Sequence, residues 1–305
     1  MPEFLEQRFH LPQKKQMNCP ACNAEVADIR YVYSENERQS NFFRCSRCTF
    51  IFARPLPIPA IDKRQLDDIE YAELFNSPLL KNLYITLFIK REIRMLKKYR
   101  LVKNSKLIDI GCGTGWTTSI FAKNGFDVTG LEPSETRSKF ARDIYGIRTL
   151  TGHIESLNIQ ERYGIAVLRH IIEHVEDPKS VIGKISLLLE NQGLLLLVCP
   201  NINSLGRYLF GAQWSAWGLP WHCNFFTPKS IKTLLDRSGF EVLKSYQTPS
   251  PLHFTQSLLS KYADKKISRS IENNKILSVL LSAPFAVLGT SLGLGDTLNI
   301  IARQK

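Results

Sequence analysis

"LIDIGCGTGW", Leu107–Trp116, decides the fold. Residues that read as a buried strand run directly into three glycines at alternate positions, Gly111, Gly113 and Gly115, and then into a helical pattern. A turn that sharp needs residues without a Cβ, and it leaves backbone N–H groups at a helix N-terminus to face a ligand. The dinucleotide fingerprint would place its third glycine one position later, where Trp116 stands, which argues against NAD. Glu132 closes the next strand pattern, placed to accept hydrogen bonds from both hydroxyls of a ribose. Asp109, just before the loop, suits an ammonium group on the ligand.

Outward from this loop, strands alternate with helices. Strands are expected at 107–110, 127–131, 148–150, 165–168 and 194–199, with helices at 117–123, 135–145 and 178–189 between them. Strands that are apolar throughout and alternate with helices predict a parallel sheet covered on both faces. After Pro200 comes an aromatic segment, then a helix at 229–237 and a strand at 240–246.

The segments "LIDIGCGTGW", "VTGLEPS", "LRHIIEHVEDP" and "GLLLLVCPN" follow one another in an order and spacing that resemble the class I S-adenosylmethionine-dependent methyltransferases. The resemblance covers about Lys106–Tyr246 and extends to "WHCNFFTPKSIKTLLDRSGFEV". It implies a Rossmann-like seven-stranded α/β sheet with helices on both faces. It also implies a cofactor site in which Asp109, Gly111, Cys112, Gly113 and Gly115 hold the methionine portion, Glu132 the ribose, and His153 with Ile154 the adenine, with Arg169 beside them.

Methyl transfer demands alignment of the acceptor, and a hydroxyl acceptor also needs a base. "RHIIEHVEDP" carries His170, Glu173 and His174, which share one face if the segment is helical. Three readings compete there. One is a divalent-metal site, as in ubiquinone-pathway O-methyltransferases, which have a carboxylate where His170 stands. Another is the HxxEH motif of inverted zinc proteases, which requires a long helix that Pro178 interrupts. The third is a structural turn at the lip of the cofactor cleft, with a histidine as base. His222 lies in an aromatic stretch with Trp214, Trp217, Trp221, Phe225 and Phe226, and ranks ahead of His170 and His174 as the catalytic base.

The N-terminal part is read separately. Cys19 and Cys22 in "CPAC" and Cys45 and Cys48 in "CSRC" form two knuckles, the ligand set of a structural zinc ion in a zinc ribbon. Metal binding of roughly 10 to 16 kcal/mol folds modules too small to fold alone. Residues 1–54 are therefore expected to form this module, 55–105 a proline-stiffened linker and a basic amphipathic helix (78–100), and 106–305 the methyltransferase domain.

The uncharged run "ILSVLLSAPFAVLGTSLGLG" (276–295) is long enough to cross a bilayer, but the following "DTLNIIARQK" resembles the family's final strand and must return to the sheet. Residues 251–295 are thus expected to form an apolar helical insertion. It would cover the substrate site, mediate self-association into a homo-oligomer, or dip into a membrane interface beside the basic "KYADKKISR".

With 40 basic against 28 acidic residues the chain carries +12, which favours an anionic partner without choosing one. The first residues lack a secretory profile, so a reducing, cytoplasmic location is expected, with a peripheral position at the inner face of a membrane as the variant. The reading as a whole is O-methylation of a small molecule: a sugar, a surface-glycan precursor or a lipid-linked intermediate. RNA is the weaker acceptor, because "CPNINS" replaces the Asn-Pro-Pro-aromatic signature of base methylation. A non-catalytic scaffold is the alternative of a different class.

Overall fold

A strand that is apolar at every position must be covered on both faces, and Ile165, Ala166, Val167 and Leu168 are fully buried, as are Leu194, Leu195, Leu196 and Leu197. The computed structural model describes residues 3–10, 17–26, 28–35, 38–57, 77–99, 106–262 and 274–305. Most of the expected linker and most of "KYADKKISR" lie outside the described residues.

In chain order the strands are β1 (Glu3–His10), β2 (Met17–Asn18), β3 (Glu25–Val26), β4 (Asp28–Glu35), β5 (Arg38–Arg44), β6 (Ile51–Arg54), β7 (Lys106–Ile110), β8 (Asp127–Glu132), β9 (Arg148–Thr151), β10 (Tyr163–Arg169), β11 (Leu189–Pro200), β12 (Asn224–Phe225), β13 (Phe240–Thr248) and β14 (Thr297–Gln304). The α-helices are α1 (Pro78–Tyr84), α2 (Lys90–Tyr99), α3 (Trp116–Lys123), α4 (Glu135–Tyr145), α5 (Pro178–Leu188), α6 (Leu205–Phe210), α7 (Pro228–Arg237), α8 (Pro251–Tyr262) and α9 (Lys275–Ser291). A single π-helical stretch, Ile85–Ile89, joins α1 to α2.

The chain folds as two compact units that interleave along the sequence. One comprises Asn82–Cys199, Leu234–Ser245 and Asn299–Lys305, and the other Met1–Lys81, Pro200–Thr233 and Tyr246–Leu298. In the first unit a seven-stranded sheet has the order β13-β14-β11-β10-β7-β8-β9. The five strands from β11 to β9 run parallel. Ile89, Ile93 and Leu96 pack on Leu107, Phe121, Ile165 and Leu196, so the amphipathic helix expected before the sheet covers part of its core. Strand order reverses between β7 and β10, and in an open α/β sheet ligands bind outside the carboxyl ends of the strands at such a point. Asp109, Glu132 and Arg169 all stand at those ends. The final strand returns to the sheet as expected, and it lies between β13 and β11. Strand β11 begins earlier than the expected 194 because Leu189 pairs with Tyr163 before a register shift.

In the second unit the sheet order is β1-β4-β5-β6-β12. The hairpin of β4 and β5 aligns Val32 with Asn41, and β12 adds a strand by pairing Asn224 with Phe52. Tyr31, Phe42, Trp214, Trp217, Phe225 and Phe254 lie in one buried cluster. Stretches that are far apart in the sequence thus share one core, since a small sheet buries too little apolar surface by itself. Among the described residues, the expected insertion contains α8 and α9. No described helix is long and apolar enough to cross a membrane.

Candidate functional site

The turn after β7 is closed by its own hydrogen bonds. The N–H groups of Gly111 and Cys112 both donate to the Leu131 carbonyl, at 2.7 and 3.1 Å, and Gly115 N–H donates to the Cys112 carbonyl at 3.0 Å. Gly113 N–H donates to Glu132 Oε2 at 3.0 Å. The expectation that these N–H groups face a ligand is therefore corrected: the tight turn consumes them, and what the glycines offer is close approach of backbone. All three have positive φ, 75° at Gly111, 55° at Gly113 and 77° at Gly115. A Cβ on Gly111 would lie 2.2 Å from Ile171 Cδ1, and one on Gly115 would lie 2.7 Å from Ala141 Cβ. At Gly113 a Cβ would meet nothing within 4 Å, so the middle of the turn opens onto free space.

Glu132 is buried at the end of β8. Its Oε1 accepts the Ser134 N–H at 3.0 Å and lies 3.2 Å from Arg137 Nε, while Oε2 takes only the Gly113 N–H among the described residues. A carboxylate has about four lone-pair sites, so one remains on Oε2 for a further donor. Gly152 N–H donates to the Glu132 carbonyl at 3.1 Å, which sets the turn containing His153 and Ile154 beside it. Ile154 is buried and His153 is exposed.

Asp109 is buried in mid-sheet and accepts a 2.6 Å hydrogen bond from the Thr118 hydroxyl. Burial pushes its carboxyl up to about 6, and the Thr118 hydroxyl and the Arg169 cation hold it back from rising further. Arg169 is itself paired with the buried carboxylate of Glu92 and donates to Tyr84 Oη at 3.5 Å. Desolvation raises Glu92 and the Arg169 charge opposes it. Cys112 is buried beside Gly130, where an added Cβ would lie 2.5 Å from its Sγ.

The segment from His170 to His174 is a turn, so its three polar residues do not share a helical face. His170 has φ 52°, and its N–H donates to the Val198 carbonyl at 2.9 Å. Its Nδ1 lies 3.1 Å from Oε1 of the buried Glu173. The contact of Ile171 with Gly111 sets this turn against the glycine loop. His174 is partly buried within the same turn. His222 belongs to the second unit, where its Nδ1 lies 3.1 Å from the Ala216 carbonyl and its ring lies against Gly218.

The sheet order, the glycine turn and the acidic strand end occur together, and a family model described as a methyltransferase domain matches residues 84–245. The chain belongs to the class I S-adenosylmethionine-dependent methyltransferases. Among its relatives is a ubiquinone biosynthesis O-methyltransferase of Rhodopseudomonas palustris (strain BisB5), 27% identical over 161 residues, which are 49% of this chain and 63% of the relative. The protein of that name from Ruegeria sp. (strain TM1040) is 29% identical over 171 residues, 51% of this chain and 68% of the relative. The match to the first of these thus spans less than two thirds of its length. A crystal structure from Galdieria sulphuraria, described as that of a sarcosine dimethylglycine methyltransferase, superposes with a TM-score of 0.52 at 13% identity, covering 73% of this chain and 87% of the other. At that identity it supports the fold alone.

The other predicted site is a cluster of sulfurs. Cys19, Cys22, Cys45 and Cys48 are all buried, and their Sγ atoms lie within 4.8 Å of one another. The two knuckles are built alike: Asn23 N–H donates to the Cys19 carbonyl and Thr49 N–H to the Cys45 carbonyl, with positive φ at Asn23 and Thr49. The hydrogen bond from Cys19 pulls the Cys48 thiol down to about 5, against the burial that pushes it up.

Sequence reasoning passed over Glu92, Thr118 and Arg137. Glu92 left a signal, because it is the sole acid in the basic stretch 78–100. Thr118 and Arg137 left none, since a threonine or arginine one turn into a helix is ordinary.

The turn geometry predicts unequal responses to the same small change. Gly115→Ala combines positive φ with overlap on Ala141 and is expected to cost about 2–4 kcal/mol, whereas Gly113→Ala pays only the backbone term of about 1 kcal/mol. Thermal or urea melts of the two variants check this, and equal losses would overturn the turn geometry.

Proposed function

We propose that the protein transfers a methyl group from S-adenosylmethionine to a hydroxyl of a small-molecule acceptor. The observation that carries the reading is the open glycine turn at Gly113 beside the buried Glu132 carboxylate, at the carboxyl ends of β7 and β8. These residues fit the cofactor. The space at Gly113 admits the amino-acid portion, the remaining lone pair of Glu132 receives a ribose hydroxyl, and the buried Asp109 carboxylate complements an ammonium group. Gly111, Cys112 and Gly115 shape the turn, and His153 with Ile154 border the adenine. Arg169 acts from beneath the loop through its charge. When bound, the cofactor supplies an electrophilic methyl group, and the protein's task is then to orient the acceptor and remove its proton.

The relatives' name supports oxygen as the acceptor atom. So does the pairing of His170 with Glu173. A buried carboxylate that accepts from Nδ1–H leaves Nε2 as the basic nitrogen, the arrangement a general base requires. His222 and His174 remain the other candidate bases. The acceptor we favour is a sugar, a surface-glycan precursor or a lipid-linked intermediate.

The four cysteines hold a structural zinc ion in this reading. Four buried sulfurs on two like knuckles match a tetrahedral thiolate set. The closest sulfur pairs stand 3.5 and 3.6 Å apart, well beyond a disulfide bond of about 2.05 Å.

Calorimetric titration with S-adenosylhomocysteine tests the cofactor site. Wild type should bind with micromolar affinity, and Glu132→Gln, which keeps the size and the acceptor for Gly113, should bind at least about tenfold more weakly. Wild-type protein that melts cooperatively yet does not bind would remove the enzyme reading. The pH dependence follows from Asp109. Its carboxyl is raised to about 6 in the free protein, and a cationic ligand favours the ionised form, so binding releases a proton below that value. Affinity should fall about tenfold per pH unit below about 6 and level off above it, and Asp109→Asn should flatten the profile. The same raised value means that protonation favours the fold, so the stability contributed by this group declines as pH rises from the unfolded value of 3.8 toward about 6. Metal analysis of protein purified without chelator should find about one zinc per chain, and Cys45→Ser should lower both the zinc content and the melting temperature. A metal-free, fully stable wild type would overturn the assignment.

A further inference from the structure

Helix α9 turns its small residues inward and its large ones outward. Ser278, Ser282, Ala286 and Gly289 are buried. The Ser282 hydroxyl donates to the Pro251 carbonyl at 2.6 Å, the Thr255 hydroxyl of α8 donates to the Ser278 carbonyl at 2.7 Å, and a Cβ on Gly289 would lie 2.9 Å from Leu205 Cβ of α6. On the outer side Leu280, Leu281, Phe285, Val287, Leu288 and Leu292 are exposed, Leu280 by 67% and Leu292 by 63%. A helix on the surface of a globular domain normally does the reverse, burying its apolar stripe and showing polar residues to water. Small residues toward protein and large aliphatic ones away from it is the arrangement of a helix whose outer surroundings are hydrocarbon.

The chemistry around the face agrees. No charged residue occurs from Ile276 to Gly295. Tyr208 and Leu209 of α6 and Tyr262 at the end of α8 are exposed, and the Lys261 ammonium lies 5.3 Å from the Tyr262 ring centroid. From Lys261 to Lys275 the sequence carries five basic residues against two acidic ones. An uncharged apolar face, exposed tyrosines and a sequence that is basic ahead of the helix are features of a helix at a membrane boundary. A docking face for a protein would instead carry a rim of mixed polar groups.

We propose that α9 lies in the plane of a bilayer containing anionic lipids, with Leu280, Leu281 and Leu288 in the acyl boundary. At 17 residues the helix extends about 25 Å along the surface. The proposal does not depend on the enzymatic reading, because it rests on residues outside the cofactor site.

Flotation of the full-length protein with vesicles tests it. On vesicles of phosphatidylcholine with about one third phosphatidylglycerol the protein should float, and on pure phosphatidylcholine its partition should be at least about tenfold lower. Leu280→Asp combined with Leu288→Asp should lower partition on anionic vesicles by at least about tenfold, with melting temperature and S-adenosylhomocysteine affinity unchanged because both side chains are exposed. No flotation of wild type on either vesicle overturns the proposal, and so does flotation that the double variant retains. Sedimentation velocity without lipid supplies the other decisive outcome. A wild-type dimer that the double variant converts to monomer, with no vesicle binding, would make the face a contact between two copies.

Discussion

The carboxylate of Glu132 ties three elements of the first unit together. It accepts the Gly113 N–H from the turn after β7 and the Ser134 N–H from the start of α4, and it pairs with Arg137 one turn into that helix. A buried carboxylate without such partners would cost several kcal/mol. The Leu131 carbonyl accepts from Gly111 and Cys112, so the last two residues of β8 hold the start and the middle of the glycine segment. The site is thus rigid backbone around an opening at Gly113, an arrangement suited to ligand approach without reorganisation.

Beneath the loop lies a second set of buried charges. Arg169 faces Glu92 directly and lowers Asp109 through its field, and Tyr84 completes the group from the helix ahead of the π-helical stretch. Breaking a buried pair leaves an uncompensated charge, so the helix before the sheet is committed to the site electrostatically as well as by Ile89, Ile93 and Leu96. Its basic surface residues face water, while its one acid points inward.

The second unit follows another logic. Tyr31, Phe42, Trp217, Phe225 and Phe254 reach a common core only when residues from well-separated stretches come together. Tyr31 meets Trp217 edge-on at 4.9 Å, and Trp217 meets Phe225 at 4.8 Å. The aromatic stretch around His222 supplies much of this core, and Trp214 and Trp217 are buried in it. The small-residue side of α9 belongs to the same economy of space: Ser282 and Gly289 let helices approach closely, and the large side chains are left outside.

The alternation of apolar strands with helices, the three glycines, the acidic strand end and the paired cysteines were all legible by themselves, because each expresses a local rule of period, backbone conformation or ligand spacing. The ends of β7, α4 and β8 fall within a residue of expectation for that reason. Tertiary structure alone decided the rest. It spent the loop's N–H groups on Leu131 and Glu132, matched Arg169 with Glu92 across 77 positions of sequence, and made His170 to His174 a turn. It also joined β12 to the cysteine-bearing sheet and set the large side of α9 outward. Sequence specifies which residues prefer to be buried or bent, but a hydrogen-bond partner, an ion pair or an exposed helix face depends on which distant segment arrives beside it, and that is settled only when the cores close.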